Sequence, residues 1–438
     1  MKPHEPVTRL RYNARPRWRH DDPVTRYPLF PAGAEHFKDW RGLSDGSLAA
    51  VLTQVARSLD GPLVVAAPGS GRAQQLADAL SFYLAGNPVA GTPVAGDATG
   101  GTGGAPDLPV MLFPDWETLP YDLFSPHQDI VSDRIRVLNW LRGARAGVLV
   151  VPINTLMQRL APPSHIGGNS FMLRVGEAFD MERTRSQLVD CGYRQRDNVY
   201  EHGEFAVRGA IMDVFPMGST QPFRVELFDD DIESLRLFDP ESQRSTGQVD
   251  EINLLPAAEY PLSAEGIRRF RTAFRDTFDV DPRHVPLYQD VSEGIAAPGL
   301  EYYLPLFFDG LATLFDYLPD NARALEMAGC EEAASHFWDE VGARYESRRH
   351  DIHRPVLPPA RLFLRPDELD AAWKGLPGPA SATATRRCRS GCRRHRRWPP
   401  TRAPATRWRR CTPSPTSTRT PASWWWPRPP AAGKPCWS

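Results

Sequence analysis

Leu63-Val64-Val65-Ala66-Ala67-Pro68-Gly69-Ser70-Gly71-Arg72-Ala73 is the stretch from which the fold class is read. Five apolar residues bounded by turn residues predict a short buried strand, and the spacing from Arg72 to Leu84 predicts the helix after it. A strand that turns through glycines into a helix is where α/β proteins hold phosphate. A working loop reads G-x-x-x-x-G-K-[ST]. Its glycines let backbone amides wrap the phosphates, its Lys neutralises them, and its hydroxyl holds magnesium. Here Gly71 fits the second glycine, while Ala66 stands at the first. Arg72 replaces the Lys and Ala73 the hydroxyl residue. Arg72 still offers a charge to an anion, and an ordinary strand-to-helix turn would read the same way. The expectation is a degenerate phosphate loop at Gly69, Gly71, Arg72 and Ala73, with no catalytic residue, no metal ligand and no cofactor.

Outward from that turn, Leu48 to Leu59 reads as a helix, Val110 to Phe113 as a second strand and Ile130 to Leu141 as a helix. Val148 to Val151 reads as a third strand, with Thr155 to Leu160 opening another helix. Alternating strands and helices at this spacing predict a parallel sheet covered on both faces. Between them, Asn87 to Pro106 is Gly, Ala, Pro and Thr with a partial repeat, a loop composition. Past Phe171 the pattern changes. Phe179 to Cys191 reads as one helix. Strands follow at Glu204–Val207, Ile211–Phe215, Phe223–Phe228, Ile232–Phe238 and Ile252–Leu255, an antiparallel meander forming a small domain of its own. After Pro256 the pattern is helical again, at Glu265 to Phe278 and Ala333 to Tyr345, with a mixed segment at Val285 to Gly294.

With 438 residues the chain has room for about two or three domains. No apolar run approaches the roughly 20 residues that span a bilayer, and no secretory signal opens the chain. The net charge of -1 conceals a split of +14 beyond residue 377 and -15 before it. A body that acidic repels nucleic acid unless it carries a local basic patch. Cys191 and Cys330 are the body's two cysteines, and two distant thiols in a large domain point to a reducing, cytoplasmic setting. His127 reads as a structural histidine rather than a base, because no partner nucleophile stands out. Asp229-Asp230-Asp231 reads as a solvated turn, since consecutive carboxylates do not converge on one metal.

From Gly378 the sequence becomes Arg, Pro, Thr and Ala with six Trp, including Trp424-Trp425-Trp426, and no Asp or Glu. A basic arm for nucleic acid is one reading. A frameshift is the preferred one, because Trp has the single codon TGG and three in a row, read one base earlier, encode Val-Val. The half-site Cys388, Cys392 and His395 is then accidental.

Longer motifs resemble those of the bacterial transcription-repair coupling factors. They are Asp115 to Asp122, Phe124 to Asp129, Val151 to Arg159, Glu201 to Glu204, Arg208 to Ser219, Phe228 to Arg236, and Glu301-Tyr302 with Pro305 to Phe308. The match runs in order from about Tyr27 to Pro377. The resemblance implies an α/β fold: a degenerate RecA-like parallel-sheet lobe, called 1A and 1B, with an inserted small β-rich domain 2 that is similar to UvrB. The expected boundaries are 1–27 for an extension, 28–169 for lobe 1A with its loop at 87–106, 170–256 for domain 2, 257–377 for 1B and linker, and 378–438 for the aberrant tail. It implies UvrA as partner, recruited where RNA polymerase stalls. RNA polymerase and DNA would be bound through domains beyond this chain, as would ATP, and there is no membrane partner. The alternative is the ATP-driven DNA translocase activity of the intact family. The excision-repair relative clamps DNA with a long hairpin, and only about a dozen residues separate Tyr121 from Arg134 here, too few for one.

Residues 223–228 alternate. Phe223, Val225 and Leu227 should face a core, with Arg224, Glu226 and Phe228 on the other side. An aromatic beside an Arg is the composition of an interface hot spot. Alternatively, Phe228 caps a core edge and the arginines are solvated. The resemblance implies that Arg208, Arg224 and Phe228 form the UvrA-binding surface.

Overall fold

A computed structural model describes residues 7–10, 38–41, 45–84 and 108–376. The loop at 87–106 and the tail at 378–438, with its cysteines and Trp run, lie outside the described residues. Near the N-terminus β1 (Val7–Leu10) pairs antiparallel with β2 (Lys38–Arg41).

The α/β lobe is built on four parallel strands. β3 (Leu63–Ala67) is central, with β5 (Val148–Pro152) beside it and β4 (Val110–Leu112) outside β5. The fourth strand, β14 (Arg323–Glu326), arrives more than 250 residues after β3 and pairs along its other edge. β3 and β5 are buried along their whole length, which is why they read as unbroken apolar runs rather than alternating ones. Two expectations need correction here. β14 was not foreseen, because Arg323-Ala324-Leu325-Glu326 carries charge at both ends. The helix expected over 155–160 is a single turn, Ile153–Leu156. Beyond it, the backbone amide of Arg159 donates to Leu362 O at 2.8 Å and that of Leu160 to Ala312 O at 2.7 Å, so tertiary pairing takes the amides a helix would have used.

The inserted β-rich domain leaves the lobe at β6 (Phe171–Arg174) and returns at β13 (Glu251–Leu254). These two strands pair antiparallel, Phe171 opposite Leu254 and Arg174 opposite Glu251, and form the neck of the insertion. Between them lie the helix Met181–Asp190 and a six-stranded sheet in the order β12 (Ser245–Val249), β11 (Asp231–Phe238), β10 (Phe223–Phe228), β9 (Ile211–Val214), β8 (Glu204–Arg208) and β7 (Arg194–Gln195). The meander is therefore four of the five strands expected. The Ile252 strand belongs to the neck, and its place in the sheet is taken by β12, a polar edge strand. β7 runs parallel to β8.

Three cores result. One lies around the parallel sheet. A second is rich in aromatics and joins Trp116 and Tyr121 to residues 260–363. The third fills the inserted domain and includes Val131 and Ile135 from the lobe helix Gln128–Leu141. That helix starts where His127 Nδ1 accepts from the amide of Asp129 at 3.3 Å, a capping role for the histidine expected to be structural.

Candidate functional site

The degenerate phosphate loop sits at the carboxyl end of β3. The helix begins at Ser70, and the amide of Ala73 donates to Gly69 O at 3.0 Å. Ala73 is fully buried and offers no hydroxyl to a metal. Neither Gly69 nor Gly71 has a positive φ, and a Cβ at either meets nothing within 4 Å. The turn therefore does not use the backbone freedom by which glycines cradle phosphate. Arg72 is half-buried on the first turn. A cavity of about 520 Å³ opens at the carboxyl ends of β3, β5 and β14, lined by Ala66, Ile153, Leu156, Cys330 and Trp373. Parallel sheets bind ligands at that end. Its charged lining is Glu326, Glu331, Asp367 and Asp370 against the single Lys374, and Lys374 is itself paired with Asp370. Such a lining opposes a polyphosphate.

The arginines expected in recognition lie on the sheet of the inserted domain. β10 buries Val225 against the domain core and turns Arg224, Glu226 and Phe228 to the opposite face. Asp213 of β9 lies directly opposite Arg224 in the register and is completely buried. Its Oδ1 accepts from Arg224 Nε at 2.7 Å, and its Oδ2 from Arg224 Nη2 at 2.9 Å and Arg208 Nη2 at 2.6 Å. One carboxylate thus gathers both arginines, and its hydrogen bonds hold Arg224 firmly protonated. The Arg224 guanidinium also stands 5.0 Å over the Phe238 ring, a cation–π contact. The Arg224 side chain is 19% exposed, whereas Arg208 is 50% exposed. Arg224 is therefore not a solvated partner but a packed one. Phe228 is 67% exposed, at the end of β10 where Asp229 (φ 53°) opens the hairpin turn. It does not cap the core. The amide of Leu227 donates to Ala210 O at 3.0 Å, which places the Arg208 turn beside the last residues of β10.

Sequence reasoning missed Asp213. Its signal was one carboxylate inside the apolar run Ile211-Met212-Asp213-Val214, a costly placement unless it is paired. The adjoining group Arg236, Glu226 and Ser234 was missed as well: Arg236 Nε lies 3.0 Å from Glu226 Oε2, and Ser234 Oγ donates to the same oxygen at 2.5 Å. Asp229 and Asp230 are exposed in the turn, and Asp231 is exposed at the start of β11. No group of side chains suited to a metal occurs among the described residues, and no helix among them is long and apolar enough to cross a membrane. Cys191 and Cys330 are free thiols, and burial pushes the Cys191 thiol up to about 11, out of the reactive range.

Residues 171–260 match the UvrB interaction domain. The chain is 46% identical over 271 residues to the transcription-repair-coupling factor of Haemophilus influenzae, covering 61% of this chain and 24% of that one. It is 43% identical over 338 residues to that of Escherichia coli, covering 76% and 27%. With that of Myxococcus xanthus it shares 32% identity over 342 residues, covering 75% and 27%. The chain thus spans about a quarter of the length of the curated relatives it matches.

Proposed function

We propose, from its relation to the transcription-repair-coupling factors, that this chain is the UvrB-like module that recruits UvrA in transcription-coupled excision repair. The observation that carries this reading is the face of the six-stranded sheet, where Asp213 holds Arg208 and Arg224 beside the exposed ring of Phe228. A clamped pair of arginines with an exposed aromatic supplies charge, directional donors and apolar area, the ingredients of a hot spot. The matched family supports the placement, because its 171–260 span contains all three residues. Arg224→Ala and Phe228→Ala are each expected to weaken UvrA binding by about 1–3 kcal/mol. Titration calorimetry on the folded variants checks this, and unchanged affinity in both rejects the site.

In this reading the described residues work by binding, in the cytoplasm, without a resident nucleotide and without catalysis. The loop's missing Lys and hydroxyl and the acidic cavity support the absence of nucleotide. RNA polymerase, DNA and the ATP-driven motor are assigned to parts of the relatives outside the aligned quarter. Nucleotide turnover measured with and without DNA tests the assignment. DNA-stimulated hydrolysis by this chain would restore the translocase reading.

A further inference from the structure

We propose that Asp213 is the positioning residue of the partner-binding face, setting the two arginines in a fixed arrangement that fits an acidic protein surface. The inference rests on the docking reading above and names how that site is built. Asp213 lies mid-strand, opposite Ala206 on one side and Arg224 on the other. It carries no solvent exposure and three charge-assisted hydrogen bonds. One carboxylate against two guanidinium groups leaves a surplus positive charge. That charge emerges at Arg208, whose other branch, among the described residues, donates to Asn198 Oδ1 at 3.4 Å. Arg224 is fixed further by Phe238 beneath it and by Gln243 O at 3.5 Å. Arg236, opposite Arg224 on β11, is balanced by Glu226, so the surplus stays local to Arg208 and Arg224.

Two physical consequences follow. A held guanidinium has already given up its rotamer freedom, so an acidic partner gains hydrogen bonds without that entropy cost. Without the carboxylate, two neighbouring cations would repel and splay. Asp213 touches no partner itself and acts through the arginines.

The test is UvrA affinity by calorimetry on the full chain, over a salt series, for Asp213→Asn, Arg208→Ala and the pair. Asp213→Asn is expected to lose about ten-fold in affinity, and to lose less in the Arg208→Ala background, because coupled residues are not additive. A purely structural Asp213 would give equal losses in both backgrounds, and that result overturns the proposal. If Asp213→Asn does not reach the wild-type circular dichroism spectrum, Arg208→Lys carries the test. It keeps the charge but not the planar fork, so binding should fall about five-fold or more, and wild-type affinity overturns the proposal. The two readings fail separately. Unchanged binding by Arg224→Ala and Phe228→Ala removes the docking site itself, whereas losses there with none in Asp213→Asn remove only the positioning role.

Discussion

Arg134 has no solvent exposure, yet it is charged. It survives burial because every face of its guanidinium is occupied. Nε donates to Glu259 Oε1 at 2.6 Å, Nη2 to Glu259 Oε2 at 3.3 Å and Nη1 to Pro114 O at 2.9 Å. The Phe113 and Trp116 rings lie 4.5 and 5.0 Å away. Removing one partner of such a pair leaves a buried charge unmatched. Glu259→Ala is therefore expected to cost about 3–5 kcal/mol in denaturant unfolding, far more than the exposed pair at Arg174 and Glu251 would. Glu301 shows the opposite electrostatics. Burial raises its carboxyl to about 7, against a lowering contribution from the Ser125 hydroxyl, 2.9 Å away. The folded state holds this proton more tightly than the unfolded chain does, so stability falls as pH rises from the ordinary carboxylate range through about 7. Glu301→Gln keeps the shape and removes the titration. Unfolding midpoints measured across that window should fall less steeply in the variant, which should gain on the wild type at pH above 7. The sequence shows each of these charges but not their partners, which lie 125 and 176 residues away.

At the scale of elements, periodicity located most helices and strands and assigned one strand, Glu251–Leu254, to the wrong sheet. The helix Ala264–Thr277 was readable because Phe270 and Phe274 repeat at one-turn spacing behind a capping Ser263. β12 was not, because four of its five residues are exposed and nothing in Ser-Thr-Gly-Gln-Val alternates. β13 alternates as a strand should, but alternation does not tell a sheet strand from a neck strand. Its partner β6 lies before the whole insertion. Gly147 shows a local constraint that sequence only hints at. It leads into β5 with φ 130°, and a Cβ there would lie 2.8 Å from Pro109 O and 2.9 Å from the Trp140 ring. Pro109 O also accepts the amide of Val148 at 2.8 Å. Gly147→Ala is thus expected to destabilise the lobe by about 2 kcal/mol, read as a lower melting temperature.

For the molecule as a whole, one helix serves two cores. Gln128–Leu141 gives Val137, Leu138 and Leu141 to the parallel-sheet lobe and Val131 and Ile135 to the inserted domain. Beside it, His202 bridges the two parts, with Nδ1 2.8 Å from Asp129 Oδ1 and Nε2 2.7 Å from Ser219 O. The amide of Gly218 donates to Ser132 Oγ at 2.8 Å. The insertion is thus seated on the lobe, not merely tethered by its neck. A fragment of residues 170–260 is expected to melt below the same domain within the full chain, because Val131 and Ile135 are missing from its core. Val131→Ala with Ile135→Ala in the full chain should reproduce part of that loss, about 2–5 kcal/mol, seen as faster amide exchange in β8 and β9. Equal exchange would show an autonomous domain.

Sequence alone determined the α/β class, the presence of a beta-rich small domain, the missing Lys and hydroxyl of the phosphate loop, and the outward side of β10 that carries Arg224 and Phe228. All of these depend on residue type, on spacings within one element and on the order in which elements follow one another. Only the tertiary structure decided that β14 completes the first sheet, that β6 and β13 close a neck, and that Asp213 clasps Arg208 and Arg224. Those facts depend on register between segments far apart in the chain. Spacing within a segment carries no information about which distant strand will satisfy its backbone, or which distant charge will neutralise its own.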